Sequence, residues 1–199
     1  MRLILASGSP RRAELLRSIG IEFRVLVADI DETPLPAETA TTYVNRMANT
    51  KCLAAQAVLG ASDRSVILAA DTIVAVDGDI LGKPADDEEA RRMLRHLSGR
   101  SHHVHTAVCV ATPTEVSITR VTTSVVFAPL STAEIDWYVG LGESLDKAGA
   151  YGMQTAGALL VDRIDGSPTN VIGLPLRATV AMLRAAGIAT YVATQHSAD

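Results

Sequence analysis

Short aliphatic runs typical of buried strands alternate along this chain with segments of helical periodicity. Residues 3–6 and 66–70 are such runs, and the longest helical stripe extends from about residue 38 to residue 59. Residues 102–111 and 116–127 alternate between apolar and polar side chains, as antiparallel strands do. The chain is therefore predicted to form an α/β fold, with helices flanking a mixed sheet.

Turn and capping residues divide the chain further. Pro10 suits the first position of a helix that Ser9 would cap, and Asp77-Gly78 is typical of a hairpin turn. Ser131 and Glu134 have the spacing of a capping box. The arms of that hairpin are expected at residues 73–76 and 80–81. The other expected elements are a strand at residues 23–27, a helix at 86–97, a loop at 146–157, a strand at 159–164 and a helix at 176–186.

Composition limits the class of protein. A chain of 199 residues can form one domain, here expected over residues 1–199, with a tail that frays from about residue 193. Hydrophobic residues make up 48% and aromatic residues 4%, so the core is predicted to be aliphatic.

A net charge of -4 argues against a nucleic-acid partner, and no apolar stretch is long enough to span a membrane. The two cysteines suit a reducing compartment, so a cytoplasmic location is expected.

The segment from Ser7 to Arg12 is the first with functional chemistry. A strand enters a small-residue loop and then a helix, where exposed N–H groups and the helix dipole favour an anion. Arg11 and Arg12 oppose that dipole, and a bound phosphate would reconcile the two features. The alternative is a capped helix with two solvated arginines.

Asp71 interrupts an otherwise apolar run, and an unpaired carboxylate is costly to bury. Such a residue lies at a strand end facing a cleft, binds a metal, or is held by hydrogen bonds. A raised pKa or a metal would suit it for activating water. The alternative is an aspartate that only ends the strand and bonds nearby backbone.

Three further segments offer weaker signals. Lys83 follows Gly82 but precedes Pro84, which excludes a Walker motif and leaves a point-charge phosphate ligand or a solvated surface lysine. Lys51 lies near the apolar stripe of its helix, where a lysine is costly unless it faces a site, and the alternative is again a solvated surface lysine. In the Gly-rich segment at residues 147–154, Gln154 can read a base edge, although a tightly packed loop would need the same glycines.

Taken together, the motifs resemble the Maf proteins, which are nucleoside triphosphate pyrophosphatases. The landmarks run in order over residues 3 to about 186 and are individually weak but jointly specific. They are Ser7 to Arg12, Asp31-Glu32, Lys51, Ala70-Asp71-Thr72, Gly82-Lys83-Pro84, Leu97-Ser98-Gly99, Asp146 to Gln154, and Gly173 to Leu176.

The resemblance implies an elongated mixed sheet with two lobes around a central cleft, related to the inosine triphosphatases. It implies hydrolysis of a nucleoside triphosphate at the α–β phosphoanhydride, with Mg²⁺ or Mn²⁺, by a homodimer. Asp71 would be the general base, and Glu32 with Asp71 would hold the metal. The implied substrate-binding residues are Ser7, Ser9, Arg11, Arg12, Lys51, Thr72, Lys83 and Gln154.

Arg11, Thr72 and Gln154 match the subgroup that resembles dTTP/UTP pyrophosphatases, rather than the one that prefers 7-methyl-GTP. Thr155 follows Gln154 where that subgroup usually has glycine, so the nucleotide range is expected to differ. The resemblance also carries an association with arrest of septum formation. Two hypotheses follow: an enzyme that removes unwanted pyrimidine nucleotides, and a non-catalytic nucleotide sensor that inhibits division through a partner and has no need of Asp71.

Overall fold

The computed structural model describes residues 1–190, so the tail expected to fray lies outside the described residues. Helices cover a seven-stranded mixed sheet. The elements are β1 (Leu3–Leu5), α1 (Pro10–Ser18), β2 (Arg24–Val25), α2 (Ala40–Leu59), β3 (Val66–Val76), β4 (Asp79–Leu81), α3 (Asp87–Leu97), β5 (Ser101–Ala111), β6 (Val116–Phe127), α4 (Thr132–Gly140), two 3-10 turns (Ala148–Ala150 and Ala156–Leu160), β7 (Val161–Asp165), α5 (Pro168–Ile172) and α6 (Leu176–Ala185).

The sheet has the order β2-β1-β3-β5-β6-β7, and β4 pairs with the far end of β3. Strand β1 is parallel to both of its neighbours, whereas β3, β5, β6 and β7 are antiparallel in turn. The expected α/β fold with a mixed sheet is therefore confirmed.

The central strand β3 has two different partners along one edge. Strand β1 pairs with its first residues, up to Leu68, and β4 pairs with its last residues, from Val74. Between them, within residues 1–190, the segment 69–73 has no strand on this edge. The gap separates one lobe built on β1, β2 and α1 from another built on β4, α3 and α4, and it forms a cleft between them.

The two faces of β3 follow the period of two that all strands have. Ile67 and Ala69 pack against α2, where Met47 and Cys52 are fully buried. Residues of the other register, such as Leu68, pack with α1 and α6. Asp71 therefore belongs to the α2 face, and its neighbour Thr72 to the opposite one.

Several boundaries differ from the predicted ones. The two segments expected at 66–70 and 73–76 form one continuous strand, so Asp71 does not end a strand. The strand expected at 23–27 shrinks to Arg24–Val25, and the strand expected at 159–164 begins at Val161 after a 3-10 turn. Ser9 occupies the N-cap position of α1, but its side chain makes no capping hydrogen bond.

Two local predictions that depend on a few neighbouring residues are confirmed. The capping box of Ser131 and Glu134 is complete, and Asp77-Gly78 turns β3 into β4. No helix within residues 1–190 has the length and apolarity needed to cross a membrane.

A buried histidine gives the fold a pH dependence. His102 is 1% exposed and bonds the Tyr151 hydroxyl through Nε2 at 2.8 Å, and burial lowers its pKa from 6.5 to about 4. Between pH 6.5 and about pH 4, the imidazole of His102 therefore binds a proton in the unfolded chain but not in the folded chain. The free energy of unfolding is consequently highest above pH 6.5 and falls as the pH drops toward 4.

We expect His102 to remove about 3 kcal/mol of unfolding free energy between pH 7.5 and pH 4. Urea unfolding of the unaltered chain and of His102→Gln over this range measures the contribution, because the glutamine has no charge to gain. Equal pH slopes in the two proteins would contradict the assignment.

Candidate active site

The cleft at the open edge of β3 has a volume of about 760 Å³, which lies within the range of small-molecule sites. Both lobes line it, together with the middle of β3. Every catalytic, metal-binding or substrate-binding residue singled out from the sequence lines this one cleft: Ser7, Ser9, Arg11, Arg12, Glu32, Lys51, Asp71, Thr72, Lys83 and Gln154.

Lys51 joins the two carboxylates of the site. Its Nζ lies 2.7 Å from Asp71 Oδ1 and 2.7 Å from Glu32 Oε1. Asp71 is only 8% exposed, and the ammonium group of Lys51 offsets the free-energy cost of burying its carboxylate. Lys51 lines the cleft and does not lie on a solvated face, because α2 packs on the face of β3 that carries Asp71.

Glu32 is placed by the loop between β2 and α2. The Tyr43 hydroxyl donates to the Glu32 carbonyl oxygen at 2.9 Å, which fixes the loop against α2. Partial burial raises the pKa of Glu32, but the hydrogen bond and charge of Lys51 outweigh it and leave the pKa below its ordinary value. Burial and the nearby charges of Asp71 and Glu32 raise the pKa of Tyr43 to about 12.

Arg12 is buried and not solvated, which removes the alternative of two exposed arginines. Its Nε donates to the Gly173 carbonyl at 2.9 Å, Nη1 to Ser7 Oγ at 3.0 Å, and Nη2 to Thr72 Oγ1 at 3.1 Å. Desolvation lowers its pKa, and the charge of Asp71 opposes that effect. One guanidinium group thus connects the loop after β1, the strand β3 and the end of α5.

Arg11 spans the cleft. Its Nη1 lies 2.5 Å from Asp146 Oδ2, which belongs to the opposite lobe, and Lys147 Nζ bonds the other oxygen of the same carboxylate at 2.6 Å. Partial burial alone would raise the pKa of Asp146. The hydrogen bonds and charges of Lys147 and Arg11 outweigh that effect and leave the pKa below its usual value.

The remaining residues line the cleft more loosely. Ser7 Oγ accepts a hydrogen bond from the Ser9 backbone N–H at 3.3 Å, so the loop after β1 is held in a compact turn. The exposed side chains of Lys83, just after β4, and Gln154, after the first 3-10 turn, lie on the side of the second lobe.

The carboxylates fit a divalent cation. Glu32 and Asp71 converge on one positive charge, and Mg²⁺ is typically held by one or two carboxylates together with substrate phosphate oxygens and water. Within residues 1–190, no group of three or more His, Cys, Asp or Glu side chains forms a complete metal site. The rings of His103 and His105 stack 6.0 Å apart, and in this same part of the chain no third such side chain completes a site with them.

A family model for Maf-like proteins matches residues 2–186. This chain belongs to the Maf family. A dTTP/UTP pyrophosphatase of Anaeromyxobacter dehalogenans (strain 2CP-1) is 52% identical to it over 94% of each chain. A dTTP/UTP pyrophosphatase of Myxococcus xanthus is 50% identical, over 94% of this chain and 93% of the relative.

Among solved structures, the Ham1 protein of Staphylococcus aureus superposes with a TM-score of 0.54 at 18% identity, covering 94% of this chain and 100% of the other. At that identity the likeness shows the fold alone. It supports the expected architecture of a mixed sheet with helices on both faces for this member of the Maf family.

Sequence reasoning missed several groups that shape the site of this Maf protein. The Gly173 carbonyl, which holds Arg12, is a backbone atom and leaves no signal in the sequence. Tyr43 was not singled out from the sequence, although its hydroxyl fixes the Glu32 loop. Thr106 lies behind Thr72 and was read only as part of a strand.

Proposed function

We propose that this chain is a nucleoside triphosphate pyrophosphatase that hydrolyses dTTP and UTP to the monophosphate and pyrophosphate. The observation that carries the proposal is Asp71, a buried carboxylate in the middle of β3 that lines a cleft rich in cations. The two relatives named dTTP/UTP pyrophosphatase, each at least half identical, support the substrate class.

Asp71 is the proposed general base. Lys51 donates to Oδ1, and among residues 1–190 no group donates to Oδ2, which leaves that oxygen to orient a water molecule. The water oxygen would bond to the α-phosphorus as the bond to the bridging oxygen breaks, its proton would pass to the carboxylate, and pyrophosphate would leave. A positioned base of this kind contributes roughly 10²–10⁴-fold to a rate.

The cations are the proposed cradle for the phosphates. Arg12 is held rigidly by three hydrogen bonds, and Lys51 and Lys83 line the same cleft. Ser7 and Ser9 add hydroxyl and backbone donors at the start of α1, where the helix dipole favours an anion. Fixed positive groups stabilise the charge that develops on the departing pyrophosphate.

Glu32 and Asp71 are the proposed ligands of Mg²⁺ or Mn²⁺. When bound, the metal supplies positive charge that neutralises phosphate oxygens. The carboxylates, one half exposed and one buried, would share it with the substrate.

Base selection is proposed to involve Arg11, Thr72 and Gln154. Gln154 has both a donor and an acceptor for a base edge, whereas Arg11 is tied to Asp146 across the cleft. Thr155 donates to the Glu143 carboxylate, which restrains the loop beside Gln154. We further propose a homodimer, a role in cleaning the nucleotide pool and a link to septum formation.

The proposed function predicts a clear product pattern. With Mg²⁺, purified protein should release pyrophosphate from dTTP and UTP with kcat/KM at least about tenfold above that for GTP and 7-methyl-GTP, equivalent to about 1.4 kcal/mol of discrimination. Separation of the products by ion-exchange chromatography distinguishes pyrophosphate from single phosphate. Binding of these nucleotides without turnover would favour the non-catalytic sensor instead.

A further inference from the structure

Thr106 lies behind the cleft, where it touches the site without lining it. It is fully buried on β5, directly opposite Thr72 in the register of β3 and β5. We propose that Thr106 is a positioning residue, whose hydroxyl fixes the Thr72 hydroxyl and, through it, the guanidinium group of Arg12. This inference rests on the proposed pyrophosphatase function.

The hydrogen bonds at Thr106 form a chain with one direction. Thr106 Oγ1 donates its only proton to the Asn170 carbonyl at 3.0 Å. It is therefore an acceptor toward Thr72, whose Oγ1 lies 2.9 Å away. Thr72 Oγ1 in turn accepts from Arg12 Nη2 at 3.1 Å. The Thr72 hydroxyl proton has one further acceptor, the Gly173 carbonyl oxygen at 3.4 Å. Thr106 Oγ1, at 2.9 Å, is the nearer acceptor, so the proton of Thr72 is directed to Thr106 and the hydroxyl is held by the protein.

The chain ends on a rigid anchor. Asn170 is fully buried, and its Nδ2 donates to the Val104 carbonyl at 2.9 Å and to Thr123 Oγ1 at 3.0 Å. These bonds attach the short helix α5 to β5 and β6. Thr106 therefore links the Thr72 side chain, which lines the cleft, to the fixed framework of the sheet and α5.

The hydrogen bond from Arg12 to Thr72 ties the guanidinium group to the strand that carries Asp71. The other two contacts of Arg12 are with Ser7 and with the Gly173 carbonyl, on segments that flank the cleft. Thr72 is its contact with β3, the strand that also carries Asp71. Loss of the Thr106 hydroxyl would thus loosen the cation relative to the proposed base, with no direct change to either group.

Thr106→Val tests this role with little disturbance of packing. Valine has nearly the same shape, and the Asn170 carbonyl keeps a second donor, the Gly173 backbone N–H at 3.0 Å. We expect kcat/KM for dTTP to fall about tenfold, the effect of one aligned hydrogen bond. Thr106→Ser keeps the hydroxyl and should recover activity to within about threefold of the unaltered chain.

A double-mutant cycle separates positioning from general structural damage. Thr106 acts through Thr72, so Thr106→Val should cause no further loss in a Thr72→Val background. Thr179→Val is the matched control, because Thr179 is equally buried and its hydroxyl, within residues 1–190, has no hydrogen-bond partner. This control should leave kcat/KM unchanged.

Independent losses that add in the double variant would overturn the proposal, as would full activity of Thr106→Val or failure of Thr106→Ser to recover it. The unaltered chain in the same assay reports on the proposed function separately. If it binds dTTP without turnover, calorimetric dTTP affinities of the same variants complete the cycle, and the same non-additive pattern is required. Absence of dTTP binding by the unaltered chain would overturn both proposals.

Discussion

Replacement of Asp71 with Asn is expected to lower the rate of pyrophosphate release by about a thousandfold, the loss typical of a missing general base. Asparagine keeps the shape of the side chain and can still accept the hydrogen bond that Lys51 Nζ makes at 2.7 Å. It cannot take a proton from water, so the chemical step should suffer while the site remains assembled. Steady-state release of pyrophosphate from dTTP measures kcat and KM separately.

The expected fall lies in kcat, with a much smaller change in KM. Asp162→Asn is a suitable control, since Asp162 is exposed on β7 and does not line the cleft. Thermal unfolding of both variants would establish that the folded state persists. Equal turnover by Asp71→Asn and the unaltered chain would refute the role of Asp71 as the base.

The sequence was sufficient to predict the set of residues that meet in the cleft, but not how they are held. Arg12 was considered as a solvated residue because its decisive acceptor, the Gly173 carbonyl, lies 161 residues further along the chain. No local pattern reports such a contact. The rule that cations oppose the dipole at a helix start nevertheless marked Arg12 as unusual.

Asp71 shows where reading the sequence element by element fails. A carboxylate within an apolar run is costly to bury, and the end of a strand was one of the interpretations left open for it. The strand continues because Lys51, twenty residues earlier on α2, supplies the compensating charge. Strand pairing with β1, β4 and β5 then places Asp71 at the gap along the edge of β3. Both facts depend on tertiary contacts.

Local features were predictable for the opposite reason. The capping box at Ser131 and the Asp77-Gly78 turn each depend on residues within three positions of one another. Asp77 and Gly78 both have positive φ values, 51° and 91°, as this hairpin turn requires. The conformation of each feature is set by interactions among these neighbouring residues, so tertiary contacts are not needed to predict it.

The second large effect is expected for Lys51→Met, with a fall in kcat/KM of about a hundredfold or more, as for loss of one fixed group that stabilises transition-state charge. Lys51 has two contacts of 2.7 Å, with Asp71 and with Glu32, and its side chain is 15% exposed. Methionine preserves the length and packing of the side chain but leaves two carboxylates facing each other without a cation. Arg95→Met on α3, which removes a cation that is half exposed, is the control.

Magnesium separates the two roles that Lys51 combines. If Lys51 only compensates the carboxylates, raising Mg²⁺ should restore both stability and turnover in Lys51→Met, because a divalent cation can occupy the space between Asp71 and Glu32. If Lys51 also contacts the phosphates, Mg²⁺ should restore the unfolding temperature while turnover stays low. We expect the second result, because Lys51 lines the same cleft as Arg12 and Lys83. Recovery of full turnover at high Mg²⁺ would reduce Lys51 to a structural counter-ion and leave Arg12 and Lys83 as the proposed phosphate ligands.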